Sequence, residues 1–133
     1  MSRGQTLLEF AIAWPLALAL IFGCVQLGVW SAEAQAAREA ALAGVRVGTG
    51  ATAGPDEAAG VAVAALRPWL VGAAVGRWCP GGAAPPPVWI CARSRGASIE
   101  VAIGGQVPAL VPLVPGGGLP LRADAVMAKE AFR

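Results

Sequence analysis

The chain has 133 residues, ten basic and eight acidic, for a formal net charge of +2. It is 56% hydrophobic and only 14% charged, and it contains no His and no Tyr. That balance excludes a polybasic nucleic-acid scaffold, the missing His removes the commonest general base and metal ligand, and the length suits one modest domain.

Phe10 to Trp30 reads FAIAWPLALALIFGCVQLGVW, with Gln26 the one polar member and no charge between Glu9 and Glu33. As a helix it spans about 32 Å, near the roughly 30 Å hydrocarbon core of a bilayer. Pro15 is tolerable in lipid when neighbours satisfy the carbonyl it frees. Trp30 and Trp14 are placed to mark the two interfaces. Three readings compete: a retained transmembrane helix, a signal peptide cut near Ala32 or Ala34, and a buried helix of a soluble protein. The run exceeds the usual 7–15 apolar residues of a signal peptide, and the remaining Gly-rich chain is small for wrapping such a rod. Arg3 precedes the helix and the charges after it nearly balance. The positive-inside bias therefore puts the N-terminus in the cytoplasm and the C-terminal part outside.

Glu9 stands at the head of this apolar run. A carboxylate at the centre of a membrane helix costs about 2.5–3.5 kcal/mol or more, and less near the interface. Either it lies at headgroup level and marks the helix start, or it pairs with a positive group of another subunit.

Arg3-Gly4 followed by Gln5-Thr6-Leu7-Leu8-Glu9-Phe10 resembles the leader junction of type IV pilins and pseudopilins. The longer stretch RGQTLLEFAIAWPLALALIFGCVQLG resembles more narrowly the N-terminus of the TadE-like family, minor pseudopilins of tight-adherence (Flp-type) pilus assembly. Glu9-Phe10, Pro15, Gly23 and Gly28 fall at that pattern's positions. Gln26 stands where many members carry an acid, and Trp14 where an aliphatic residue is usual. The resemblance implies a leader of residues 1–4, removed by prepilin peptidase between Gly4 and Gln5, so that Glu9 becomes the fifth mature residue. It implies roles in subunit register and assembly for Glu9, Phe10 and Pro15. The partners it implies are pilins and other pseudopilins, an inner-membrane assembly platform, the peptidase and the lipid bilayer. Neither nucleic acid nor a cofactor is implied. The physics is compatible: a new Gln5 amine and Glu9, four residues on, share a helix face. An amine and a carboxylate from neighbouring subunits can satisfy each other in lipid. Gly23 and Gly28 would permit close approach, although their spacing is not GxxxG.

Residues 31–46, SAEAQAAREAALAGVR, continue as helix, since Ala is the best helix former. Ala34, Ala37, Ala41 and Val45 give a narrow apolar face. Gly44 weakens the end and Gly48-Thr49-Gly50 stops it, so one helix over Leu7 to Gly44 is expected. The organisation is a transmembrane helix over 5–30, its continuation over 31–48, and a small extracytoplasmic domain over 49–133. A second helix is expected from Pro55 to about Leu66, with Pro near N1 and Asp56-Glu57 in the first turn, although Ala58 to Leu66 leaves strand open. Arg67-Pro68 ends it. Gly72 to Arg77 reads as a short turn or strand.

Cys79 and Cys91 bracket the loop CPGGAAPPPVWIC, which in an exported domain reads as a disulfide, with two buried free thiols as the alternative. Cys24 in the apolar run is a small hydrophobe. Strand signals cluster at the end. Val88-Trp89-Ile90 runs into Cys91, and Ile99, Val101 and Ile103 alternate with Glu100. Gly104-Gly105 reads as a turn or bulge. Val107 to Val114, broken by Pro108 and Pro112, reads as a loop or edge. Leu119 to Phe132 alternates again, Leu119, Leu121, Ala123, Ala125 and Met127 against Arg122, Asp124 and Lys129. The economical fold is α+β: the long N-terminal helix carrying a short antiparallel sheet of two to four strands, which the resemblance makes pilin-like.

Catalytic sets are missing. Without His no Ser-His-Asp or Cys-His arrangement exists. VGTGATAG and VPGGGLP lack the phosphate-loop pattern. Arg93 and Arg95 read as a solvated face, and two cysteines without His do not make a metal site. The expected function is assembly of a Flp-type (type IVb) pilus or a related secretion fibre, and not enzymatic. The alternative is a secreted small binding domain released by signal peptidase.

Overall fold

The computed structural model describes residues 3–111 and 114–129. Expectations at Met1 and Ser2 of the leader, at Pro112, and at Phe132 lie outside the described residues. One helix, α1 (Arg3–Gly48, 46 residues), replaces the expected Leu7–Gly44. It runs without a break through Pro15 and on through the Ala-rich stretch, whose propensity carries it past Gly44.

A short loop leads to α2 (Pro55–Leu66), on the expected residues. Its start follows the sequence logic. Pro55 occupies the first turn, and the Glu57 carboxylate accepts the Gly54 N–H at 2.9 Å. A 3-10 turn (Arg67–Trp69) ends it. Four strands follow: β1 (Val75–Arg77), β2 (Val88–Arg95), β3 (Ser98–Pro108) and β4 (Gly118–Ala128), in the order β1-β2-β3-β4.

Two expectations are corrected. The sheet is mixed, because β1 pairs parallel with β2 while β2–β3 and β3–β4 are antiparallel. The long loop 78–87 carries the chain back to the level where β1 began, and a parallel return needs such a connection. Gly104-Gly105 does not end a strand. β3 passes through both to Pro108, and β4 pairs with it along that whole length. Gly104 sits under the Trp89 indole, where a side chain would collide with the ring. Gly105 has a φ of +132° and lies against the Pro87 carbonyl, a position only glycine fills easily. The two glycines thus let a strand pass close to its neighbour. Lys129, expected on the outer face of the last strand, follows the end of β4 instead.

The alternation in β3 is as expected: Ile99, Val101 and Ile103 are buried, each at 1% exposure or less. They meet Val88 and Ile90 from β2, Leu121 from β4, and the helices. Burying each of these large side chains is worth roughly 1.5–3 kcal/mol. α1 runs beside β4 in the same direction: the Trp30 indole N–H donates to the Pro120 carbonyl at 3.0 Å, and Thr49 reaches Met127. α2 turns back along α1. At their crossing Gly44 and Gly48 allow contact so close that a Cβ on Gly44 would stand 2.8 Å from the Ala58 carbonyl oxygen.

Cys79 and Cys91 form the expected disulfide, their Cα atoms 4.8 Å apart. It staples the loop to the outer sheet face beside Trp78 and Trp89, whose rings meet edge to face at 5.6 Å. Closing a loop of this length contributes about 3 kcal/mol in the chain-entropy model. Replacing both cysteines by Ala is therefore expected to lower the unfolding free energy by about that amount. Denaturant melting of the full chain in detergent, followed by tryptophan emission, checks this.

Candidate functional site

The site begins with what the domain leaves uncovered. From Gly4 to Val25 no residue of α1 is buried, and Leu7, Phe10, Ile12, Leu16 and Leu20 each expose more than 60% of their surface. This is the one helix among the described residues long and apolar enough to cross a membrane. A soluble protein cannot leave so long an apolar rod in water. The chain is a single-pass membrane protein.

Gly4 and Gln5 lie in the first turns of this rod. The Gln5 side-chain amide donates to Glu9 Oε1 at 3.4 Å, so these two groups, four residues apart, do share a face. Phe10 stacks on Trp14, ring centroids 5.9 Å apart, and adds a flat aromatic surface one residue beyond the acid. Pro15 has no N–H to offer the Ala11 carbonyl, which leaves an acceptor in the next turn. Glu9, Phe10 and Pro15 are thus near neighbours along one exposed rod. Cys79 and Cys91 lie apart from them, in the domain.

The domain meets α1 first at Gln26, which is only 6% exposed. Its side-chain oxygen accepts the backbone N–H of Leu110 and that of Val111, the latter at 3.3 Å. Two turns on, Glu33 is 3% exposed and accepts the Val71 N–H at 2.9 Å. In the sequence Gln26 reads as the one polar member of a membrane stretch and Glu33 as the first charge beyond it. Both are acceptors that tie loops to the helix. The signal that could have found them is the 3–4 spacing Gln26, Trp30, Glu33, Ala37, Ala40, Gly44, Gly48, which continues the domain-facing stripe down the helix. Gln26→Leu keeps the volume but strands two amide donors, so a loss of about 1–3 kcal/mol is expected in the same melting experiment.

Arg95 Nε lies 2.8 Å from Glu100 Oε2 across the β2–β3 turn. Asp56 and Glu57 serve the α2 start. Cys24 is a free, exposed thiol on the rod. Among the described residues no group of three or more His, Cys, Asp or Glu is placed to hold a metal ion.

Residues 4–46, the bare rod and its continuation along the domain, match the family described as TadE-like protein. No curated protein and no solved structure matches the chain. The matched segment is the one that holds the whole candidate site, from the Gly4-Gln5 peptide to the Gln26 and Glu33 clamps.

Proposed function

We propose that this membrane protein, a TadE-like family member over residues 4–46, is a minor pseudopilin-like subunit in assembly of a Flp-type (type IVb) pilus or a related secretion fibre. The observation that carries the reading is the coincidence of the family match with the bare apolar rod headed by Glu9. TadE-like proteins belong to pilus assembly at the family level and are not enzymes.

In this reading the N-terminus is cytoplasmic and the domain extracytoplasmic. The Cys79–Cys91 disulfide supports that sidedness, because disulfides persist in oxidising compartments. Prepilin peptidase cuts between Gly4 and Gln5. The Gln5 amine of one subunit then meets the Glu9 carboxylate of another inside the bilayer, and the pair sets axial register. Phe10 and Pro15 supply the adjoining contact surface. The helix packs beside pilins, other pseudopilins and the inner-membrane assembly platform.

The secreted-domain alternative fits less well. A cut near Ala32 or Ala34 would remove Gln26 and Trp30, both hydrogen-bonded into the domain. The test of the proposal is deletion of the coding sequence in the producing bacterium. Pili counted by electron microscopy are expected to fall by an order of magnitude or more and to return with an intact copy. Unchanged piliation in the deletion strain would overturn the reading.

A further inference from the structure

The two ends of the domain differ in charge. Because β4 runs with α1, the β3–β4 loop faces the bare rod, while the Arg95-Gly96-Ala97 turn and Lys129 lie at the far end. Between Glu100 and Arg122 the sequence holds no charged residue. The loop end of that stretch carries Leu110, 53% exposed, and Val111, both fixed to α1 through Gln26. With Trp30 they form an apolar patch on one side of α1 within about one and a half turns of the place where the bare rod ends.

We infer that this patch of Leu110, Val111 and Trp30 seats directly in the lipid headgroup layer, so that the membrane boundary lies at Gln26 and the domain rests on the bilayer. The occupant is lipid because the patch continues the exposed apolar surface of a membrane-spanning helix. Counting back about 20 residues, the length of a roughly 30 Å hydrocarbon core, takes the span from Val25 to Thr6. The headgroup layer, about 5–7 Å deep on each side, then covers the heights of Leu110, Val111 and Trp30. Trp at such a level favours the interface, where its ring is buried and its N–H still finds a partner. In Trp30 that partner is the Pro120 carbonyl. The span shifts four or five residues toward the N-terminus relative to one ending at Trp30. Glu9 then sits about 5 Å inside the hydrocarbon instead of at its edge.

This inference rests on membrane insertion and not on the pilus role, so the two fail separately. The test is spin-label accessibility on the full chain, reconstituted in vesicles of phosphatidylethanolamine and phosphatidylglycerol. Nitroxides are attached at Leu110→Cys, Val111→Cys and Ala97→Cys in a Cys24→Ala background. Labels at positions 110 and 111 are expected to show a clearly higher ratio of oxygen to water-soluble nickel-chelate collisions than the label at position 97. Positions 110 and 111 as open to nickel as position 97 would overturn the seating. So would shielding of both positions from both reagents, which would mean that protein, not lipid, covers them.

Discussion

Glu9→Gln is expected to leave the protein in the membrane and to abolish its contribution to piliation. Gln has the shape of Glu and keeps a hydrogen-bonding oxygen for Gln5, so α1 loses nothing it needs to fold. Removing a charge from a membrane helix also makes insertion easier. What disappears is the group that, in the proposed assembly, pairs with a cationic amine of a neighbour. Taking one member from a buried ion pair costs about 3–5 kcal/mol, or roughly two orders of magnitude or more in occupancy. The expected result is a normal amount of protein in the membrane fraction, together with a more than tenfold drop in pili of about the size expected from full deletion. Wild-type piliation from this variant would reject the register role of Glu9 while leaving the fold untouched.

Gly44→Leu is expected to have the largest effect on the domain itself. A Cβ at Gly44 would lie 2.8 Å from the Ala58 carbonyl oxygen and 3.2 Å from the Ala62 Cβ, and the three further carbons of Leu have no room between α1 and α2. The helix-propensity gain on leaving glycine is about 1 kcal/mol. Overpacking against backbone costs about 1–3 kcal/mol and occasionally more. At this site the obstacle is a rigid carbonyl, so the steric cost wins. The domain should lose at least about 2 kcal/mol net and become sensitive to protease between α1 and α2. Gly23→Leu is the contrast. Nothing lies within 4 Å of its would-be Cβ, so that variant should melt like the wild type. Any defect it shows would belong to contacts between subunits.

Both glycine sites bear on what the sequence could disclose. Local signals were strong wherever one physical cause dominated. The apolar run reads as a membrane helix ahead of a signal peptide or a buried helix, Pro55-Asp56-Glu57 reads as a helix start, and the Ile99-Val101-Ile103 alternation reads as a core-facing strand. The Cys79–Cys91 disulfide is preferred over two free thiols because only two cysteines lie beyond the rod. Glycine, by contrast, reads as a helix breaker at Gly44 and Gly48 and as a turn or bulge at Gly104-Gly105, and at Gly44, Gly104 and Gly105 it instead makes room. The distinction depends on what crosses overhead: Ala58 at Gly44, the Trp89 ring at Gly104, the Pro87 carbonyl at Gly105. Such crossings are long-range facts. The small-residue spacing Gly44-x3-Gly48, facing Ala58-x3-Ala62, was the visible hint of a close helix crossing. Gln26 and Glu33 were misread for a related reason. A polar residue that accepts a backbone N–H from more than 30 positions away looks the same in sequence as one facing water. The parallel pairing of β1 with β2 was likewise out of reach, since a three-residue strand carries almost no pattern of its own.

The retained rod and its processing at Gly4 are most directly tested by the intact mass of the protein extracted from the membranes of its own cells. The expected result is a chain that begins at Gln5 and sediments with the membrane, its Cys79–Cys91 bridge intact. A soluble chain beginning near Glu33 or Gln35 would contradict it, and so would a membrane chain that still carries Met1.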